Sequence, residues 1–327
     1  MKEKICLGIE STAHTFSAGI VNEKGKVMAN VIDAFRTEKG GLIPNDLAKH
    51  HEQVKEKVLN DALQKADIKL KHVSLVSFSQ GPGIAPALLV GMKFAKKIAS
   101  DLKIPLVGVN HCVAHLEIGK LLTKSKDPVL LYASGANTQT IAFESGKYRI
   151  FGETLDQGIG NFIDSFARHA GLGFPGGPKI EQIALNGKNY IELPYVVKGM
   201  DVSFSGMLTN LRRKFDSKEY KMEDLCFSLQ ETAFAMLTEV AERAMAHTGK
   251  NELVLGGGVG CNKRLQDMCS IMCNERNAKS FAPERQFLVD NGVQIAWLGM
   301  LQRNQAIADY NLIDIKPYER TDDVSVT

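Results

Sequence analysis

The chain predicts an α/β protein of two related lobes, because it repeats one arrangement. A three-strand meander at the start leads into helices, and a second meander beginning near residue 128 does the same. Several short apolar runs also end in polar or glycine-rich turns, the syntax of strands that deliver ligand-binding loops. A length of 327 residues, 44% hydrophobic and 24% charged, is enough for two cores of moderate size. Two such lobes leave a cleft between them where a ligand can bind.

Residues 4–10, 15–21 and 25–32 read as the first meander, with residues 10–15 (Glu10-Ser11-Thr12-Ala13-His14-Thr15) as a small polar loop of the kind that approaches phosphate. A long amphipathic helix follows Pro44 and runs through Val54, Val58, Leu59 and Leu63. His50 and His51 on it are adjacent and so point to different faces; both are read as surface residues. Residues 73–78 form the next strand, ending in Gln80-Gly81-Pro82-Gly83, with a helix from about Ala87.

The apolar run 104–110 is a buried strand, and His111-Cys112-Val113-Ala114-His115 opens a helix at its carboxyl end. Imidazoles four residues apart share a helix face and can grip one metal ion, although surface or packing histidines show the same spacing. Residues 129–142 read as strand, turn and strand, with 148–153 completing the second meander and helices at 161–170 and 178–185. The longest helical pattern is 222–247. Residues 252–255 form a strand feeding Gly256-Gly257-Gly258-Val259-Gly260-Cys261-Asn262, whose backbone N–H groups and following helix offer a positive end to an anion, unless the turn serves packing alone. Asp290 opens an apolar helix spanning Val293 to Met300, where a carboxylate is also a common N-cap.

No run approaches the roughly 18 apolar residues of a membrane span, and Met1-Lys2-Glu3-Lys4 leads straight into a strand rather than a signal-peptide core. A cytoplasmic, non-membrane protein is expected. The six cysteines form no CxxC pair; Cys269 and Cys273 share a helix face, but reduced packing thiols are the simpler reading. The net charge of +3 permits an RNA partner without demanding one, and Arg212, Arg213 and Lys214 make the clearest basic cluster, otherwise a solvated helix face.

In order and spacing, the segments GIESTAHT, HCVAHLE, LYASGANTQT, GETLDQGIGNFIDSFARHAGLGFPGGPKIE, GMDVSFSGMLTNLRR, LGGGVGCNKRL and DNGVQIAWLGM resemble the tRNA threonylcarbamoyladenosine transferase family over nearly the whole chain. Ala13-His14-Thr15 and Gly152-Glu153-Thr154-Leu155-Asp156 resemble its archaeal and eukaryotic-cytosolic branch, the catalytic subunit of the KEOPS complex. The resemblance implies a two-lobed actin/Hsp70/sugar-kinase-like (ASKHA) fold: an RNase H-like lobe at 1–127, a second at 128–327 with a helical insertion at about 160–250, and a nucleotide cleft between them. It implies transfer of threonylcarbamoyl from threonylcarbamoyl-adenylate to N6 of the adenosine 3′ to the anticodon in tRNAs reading codons that begin with A. The alternatives are a small-molecule kinase of the same superfamily and a non-catalytic nucleotide-binding interaction protein. Zinc-protease chemistry is excluded, since Cys112 stands where such enzymes carry the glutamate base.

By the same resemblance, His111, His115 and Asp290 are catalytic metal ligands, with Asp290 coming from the other lobe, and Tyr132 reaches the metal or the adenylate. The ion is iron or zinc, or magnesium where nucleotide phosphate supplies further ligands. Ser134, Gly135, Ala136 and Asn137 form a turn near phosphate, and Asp164 and Glu181 accept from ribose hydroxyls. Gly177, Gly258 and Asn262 approach the adenylate, a site that would also take ATP or AMP analogues. Implied partners are tRNA, a protein-kinase-like ATPase subunit and a small dimerising subunit. The resemblance also implies that some archaeal relatives carry the kinase fused after this domain, with the polar end at 318–323 a candidate for such a junction, although this chain contains no kinase motifs.

Overall fold

A computed structural model describes residues 3–37 and 43–324; Met1 and Lys2, part of the start read as lacking a signal-peptide core, lie outside them. The chain forms two compact units, one of Met1–Arg36, Leu42–Leu122 and Asp290–Thr327, the other of Thr37–Gly41 and Thr123–Val289.

In the first unit, β1 (Ile5–Glu10), β2 (Thr15–Asn22) and β3 (Val27–Ala34) form the expected antiparallel meander. Helix α1 (Pro44–Lys65) starts where Pro44 fixes the first turn without losing a needed N–H. Next come β4 (Leu75–Gly81), α2 (Ala85–Leu102), β5 (Leu106–Asn110) and α3 (His111–Thr123). The sheet order is β3-β2-β1-β4-β5, with β1, β4 and β5 parallel. Every residue of β1 is buried, as a central strand covered on both faces requires.

The second unit repeats this plan. Strands β6 (Val129–Ala133), β7 (Thr138–Glu144) and β8 (Lys147–Glu153) form the meander. Between it and the parallel strands lie α4 (Ile159–His169), α5 (Gly177–Ala184), the ribbon of β9 (Val197–Lys198) and β10 (Asp201–Val202), α6 (Ser205–Ser217) and α7 (Met222–Thr248). Strand β11 (Glu252–Gly256), α8 (Lys263–Glu275), β12 (Lys279–Phe281) and the short α9 (Arg285–Leu288) complete it. Its order, β12-β11-β6-β7-β8, is that of the first sheet, with the same strands antiparallel and the same parallel. The two related α/β lobes expected from the repeated meander are therefore present. The core of this unit gathers side chains of β6, α4, α6, α7 and α8, among them Phe162, Phe166 and Phe234, together with Phe204 just before α6.

The segment after Val289 differs from expectation. It belongs to the first unit rather than to a lobe running unbroken from 128 to 327, because α10 (Gly292–Leu301) lies against β1 and β2. Contact is close enough that a Cβ at Gly8 would overlap the backbone of Ala296, and one at Gly19 the backbone of Val293. Strand alternation turns Leu7 and Ile9 to the opposite face, into a core shared with Val58, Leu59 and Phe94 of α1 and α2. The chain then runs on along the same unit: Lys316 N donates to Gln80 O at 2.7 Å and Asn110 Nδ2 to Glu319 Oε2 at 3.0 Å.

His51 also departs from the sequence reading. It is fully buried beside Phe16, and its Nε2 lies 3.0 Å from the Ala13 carbonyl. Burial, helped by the neighbouring His50 charge, pushes its pKa down to about 4, so it is neutral in the fold. His50 stays half-buried, 3.2 Å from Asp33.

Candidate functional site

Strand β5 hands directly to α3, and the handover is capped: Asn110 Oδ1 accepts from Cys112 N at 3.0 Å and Val113 N at 3.1 Å. His111 therefore begins the helix at a strand's carboxyl end, and His115 lies one turn on with the rings 4.8 Å apart and nearly perpendicular. Asp290 comes to the pair from the chain just before α10. Asn291 caps that helix by accepting from Gln294 N at 3.0 Å, so Asp290 is not its cap. Its Oδ1 is 3.2 Å from His111 Nε2 and 3.3 Å from His115 Nε2. All three residues belong to the first unit, which corrects the expectation that Asp290 comes from the other lobe.

The three ligand atoms lie within 4.8 Å of one another. Burial pushes the Asp290 carboxyl up, but the His111 charge and the hydrogen bonds from both histidines outweigh it and hold it well below the usual carboxylate range. Burial pushes His115 down, towards the neutral form. An ionised carboxylate and a neutral imidazole are the protonation states that bind a divalent cation. Two nitrogens and one oxygen fit a catalytic ion that keeps further positions for substrate or water, and suit zinc and iron alike.

The sequence reading gave no role to Glu10 beyond opening a loop, yet it stands against this group. It is fully buried at the end of β1, with Oε2 2.9 Å from His111 Nδ1. Gln294 Nε2 is 3.4 Å from the same nitrogen. A carboxylate closing a strand that neighbours β4 is a signal of position only, since its partner is 101 residues away.

The other expected residues lie in the second unit. Tyr132 is buried in β6, in register with Gln139 and Gly256. Ser134 closes the β6–β7 turn, its backbone N–H donating to Asn137 O at 2.9 Å, and leaves Gly135 and Ala136 exposed at the tip. Asp164 Oδ1 accepts from Gly176 N at 2.7 Å, shaping the glycine turn in which Gly177 faces open space. Gly258 is likewise exposed with open space above it, next to Gly257 at φ +84°.

The start of α8 is not the open anion site that the glycine run suggested. Glu181 Oε1 accepts from Lys263 N at 2.7 Å, while Asn262 Oδ1 accepts from Arg264 N at 2.9 Å and Leu265 N at 3.4 Å. Asn262 Nδ2 donates to Gln230 Oε1 at 2.7 Å. The first-turn amides are satisfied by the protein, with the Glu181 charge against the positive end of the helix.

The basic cluster is only partly solvated: Arg212 Nη2 donates to Ser165 O, Lys214 lies 4.7 Å above the Tyr220 ring, and Arg213 is exposed. Cys269 and Cys273 are core thiols, pushed up by burial to about 12 and about 11, not a metal pair. Asp156 is a further residue that sequence reasoning missed. Its carboxylate takes Ser203 Oγ at 2.6 Å, Gln157 N at 2.7 Å, Ser205 N at 2.9 Å and Phe204 N at 3.0 Å, fastening the start of α6. Partial burial raises its pKa, and these hydrogen bonds overturn that and hold it well below the usual range. Asp156→Ala is expected to cost about 1 kcal/mol in urea unfolding at pH 7. Because the folded pKa is depressed, that contribution is complete above about pH 4 and disappears as the pH falls further, so the gap between variant and wild type closes in acid.

A sequence profile of the tRNA N6-adenosine threonylcarbamoyltransferase family matches residues 26–297. Proteins of that name from Thermococcus gammatolerans and Thermococcus kodakarensis are each 53% identical to the chain, over 325 and 324 residues, and each is covered to 99% of its length. A Methanococcus vannielii protein named a probable bifunctional tRNA threonylcarbamoyladenosine biosynthesis protein is 49% identical over 328 residues, 99% of this chain and 59% of that protein. Among solved structures, HypF of T. kodakarensis aligns with a TM-score of 0.67 at 14% identity, over 93% of this chain and 48% of that one. Component A of the Acidaminococcus fermentans (R)-2-hydroxyglutaryl-CoA dehydratase aligns at 0.57 and 10% identity, over 93% and 100%. These two likenesses are of fold, the actin/Hsp70/sugar-kinase-like α/β class expected from the sequence.

Proposed function

The chain belongs to the tRNA N6-adenosine threonylcarbamoyltransferase family, and from that premise we propose that it transfers threonylcarbamoyl from threonylcarbamoyl-adenylate to N6 of the adenosine 3′ to the anticodon in tRNAs reading codons that begin with A. The observation that carries the reading is the convergence of His111, His115 and Asp290 within 4.8 Å, a constellation that a phosphoryl-transfer kinase of similar fold does not call for. We assign these three residues to an iron or zinc ion, or to magnesium shared with nucleotide phosphate.

In the transfer, the N6 amine attacks the carbamoyl carbon and a C–N bond forms. The bond from that carbon to the adenylate oxygen breaks, AMP leaves with the electron pair, and N6 loses a proton. A bound divalent ion supplies Lewis-acid polarisation and neutralises developing charge. The chain's own part is to hold donors and charges in place. Asp290 stays ionised beside the two imidazoles, and the turns at Gly135–Ala136, Gly177 and Gly258 offer backbone N–H groups to the nucleotide. Asp164, Glu181 and Asn262 hold those turns in shape.

Partners in this reading are tRNA, a protein-kinase-like ATPase subunit and a small dimerising subunit, in a KEOPS assembly in the cytoplasm. Support comes from the bifunctional name of the longer Methanococcus relative and from the described residues, among which no helix is long and apolar enough to cross a membrane. Unmodified tRNA incubated with the chain, these partners and threonylcarbamoyl-adenylate is expected to yield threonylcarbamoyladenosine in nucleoside mass spectrometry. ATP-dependent phosphorylation of a small molecule, with no modified nucleoside formed, would overturn the proposal.

A further inference from the structure

Glu10 does more than close a strand. Its Oε1 accepts from Thr12 N at 2.6 Å and Thr12 Oγ1 at 2.5 Å, which locks the carboxylate and aims Oε2 at His111 Nδ1, 2.9 Å away. A neutral imidazole has one N–H and one lone pair, and a carboxylate can only accept. The Glu10 contact therefore puts the His111 proton on Nδ1. Nε2 is left facing Asp290 Oδ1 at 3.2 Å and the candidate metal position, where it donates to that carboxylate and would give up its proton to an ion bound there. The Gln294 amide at 3.4 Å approaches the same Nδ1, but it is neutral and more distant, and its Oε1 accepts from Asn291 Nδ2 at 3.1 Å. The shorter, charge-assisted contact decides the tautomer.

We propose that Glu10 is the positioning residue of the metal centre: outside the ligand set, it fixes the tautomer and ring orientation of His111 so that Nε2 is ready to bind the ion. This rests on the assignment of His111, His115 and Asp290 as ligands. A carboxylate behind a metal-bound histidine makes the imidazole a better donor and prevents it from turning away. The loop from Glu10 to Thr15 then has a defined task, since Thr12 holds the carboxylate and His51 Nε2 meets the Ala13 carbonyl from α1.

Glu10→Gln separates this role from simple packing. The amide keeps the volume, and its oxygen can keep both Thr12 donors, but its NH2 then faces Nδ1 and forces the proton to Nε2. In the Zn²⁺-loaded full-length chain, ¹⁵N NMR of the histidines is expected to show the wild-type His111 protonated on Nδ1 and bound through Nε2, the signal being assigned by its loss in His111→Ala. Zn²⁺ affinity, measured by competition with a chromophoric chelator, is expected to fall about 10–100-fold in Glu10→Gln. If His111→Ala and His115→Ala bind Zn²⁺ as the wild type does, the ligand assignment itself fails. If they lose it while Glu10→Gln binds normally, the ligands stand and the role of Glu10 is wrong. A Zn²⁺-loaded wild type in which His111 binds through Nδ1 overturns the proposal even where the variant does not fold.

Discussion

The His111→Ala/His115→Ala double variant is expected to lose transfer from preformed threonylcarbamoyl-adenylate by about a thousandfold, equivalent to about 4 kcal/mol of transition-state stabilisation. Both nitrogen donors go at once, and Asp290 alone cannot hold a divalent ion against water. The Asp290 carboxylate also loses the charges and hydrogen bonds that keep it ionised while buried, so its pKa rises in the variant. Nucleoside mass spectrometry gives the yield, plasma mass spectrometry of the purified protein the metal content, and circular dichroism the fold. A folded, metal-poor double variant that transfers at the wild-type rate would remove the metal from the mechanism.

The largest expected loss of stability comes from a glycine far from any ligand atom. Gly19→Val pushes a side chain into the backbone of Val293, in α10. A backbone cannot turn aside as a flexible side chain can, so β2 and α10 must separate. The cost is about 3 kcal/mol or more, with a Tm lower by roughly 10 °C. Asp290 leads into α10, so Zn²⁺ affinity falls as well. The control is Gly206→Ala in α6, where nothing lies within 4 Å of the added atom and the better helix former leaves stability unchanged or slightly higher. A thermal melt of Gly19→Val that matches the wild type would mean that α10 does not lie on the sheet as described.

Local signals in the sequence found the elements, and long-range ones escaped it. Both meanders, the strand before the histidine helix and the glycine turn after β11 were legible because alternation and turn residues act within a few positions. The two-residue strands β9 and β10 carry too little pattern to be seen. The burial of His51 was hidden because adjacent helical residues diverge by about 100°, and only the fold decides which faces the sheet. The histidine pair stood out by its spacing. The unit to which Asp290 belongs did not, because that depends on α10 fitting over Gly8 and Gly19. The roles of Glu10, Glu181 and Asn262 are set by hydrogen bonds to partners that no periodicity reveals, 101 residues away for Glu10 and 82 for Glu181.

The return of residues 290–327 to the first unit has a consequence for how the protein is made. When Leu122 leaves the ribosome, β1 and β2 are complete but the helix that covers their glycines does not yet exist. The whole stretch from Thr123 to Val289 must be translated first, which at about 5–20 residues per second takes on the order of ten seconds. During that interval the stretch from Thr123 to Val289, which holds every described strand and helix of the second unit, can fold while the earlier sheet waits with one face bare. The first unit therefore cannot close over that face until residues 290–301 have been made, and His111 and His115 meet Asp290 only then.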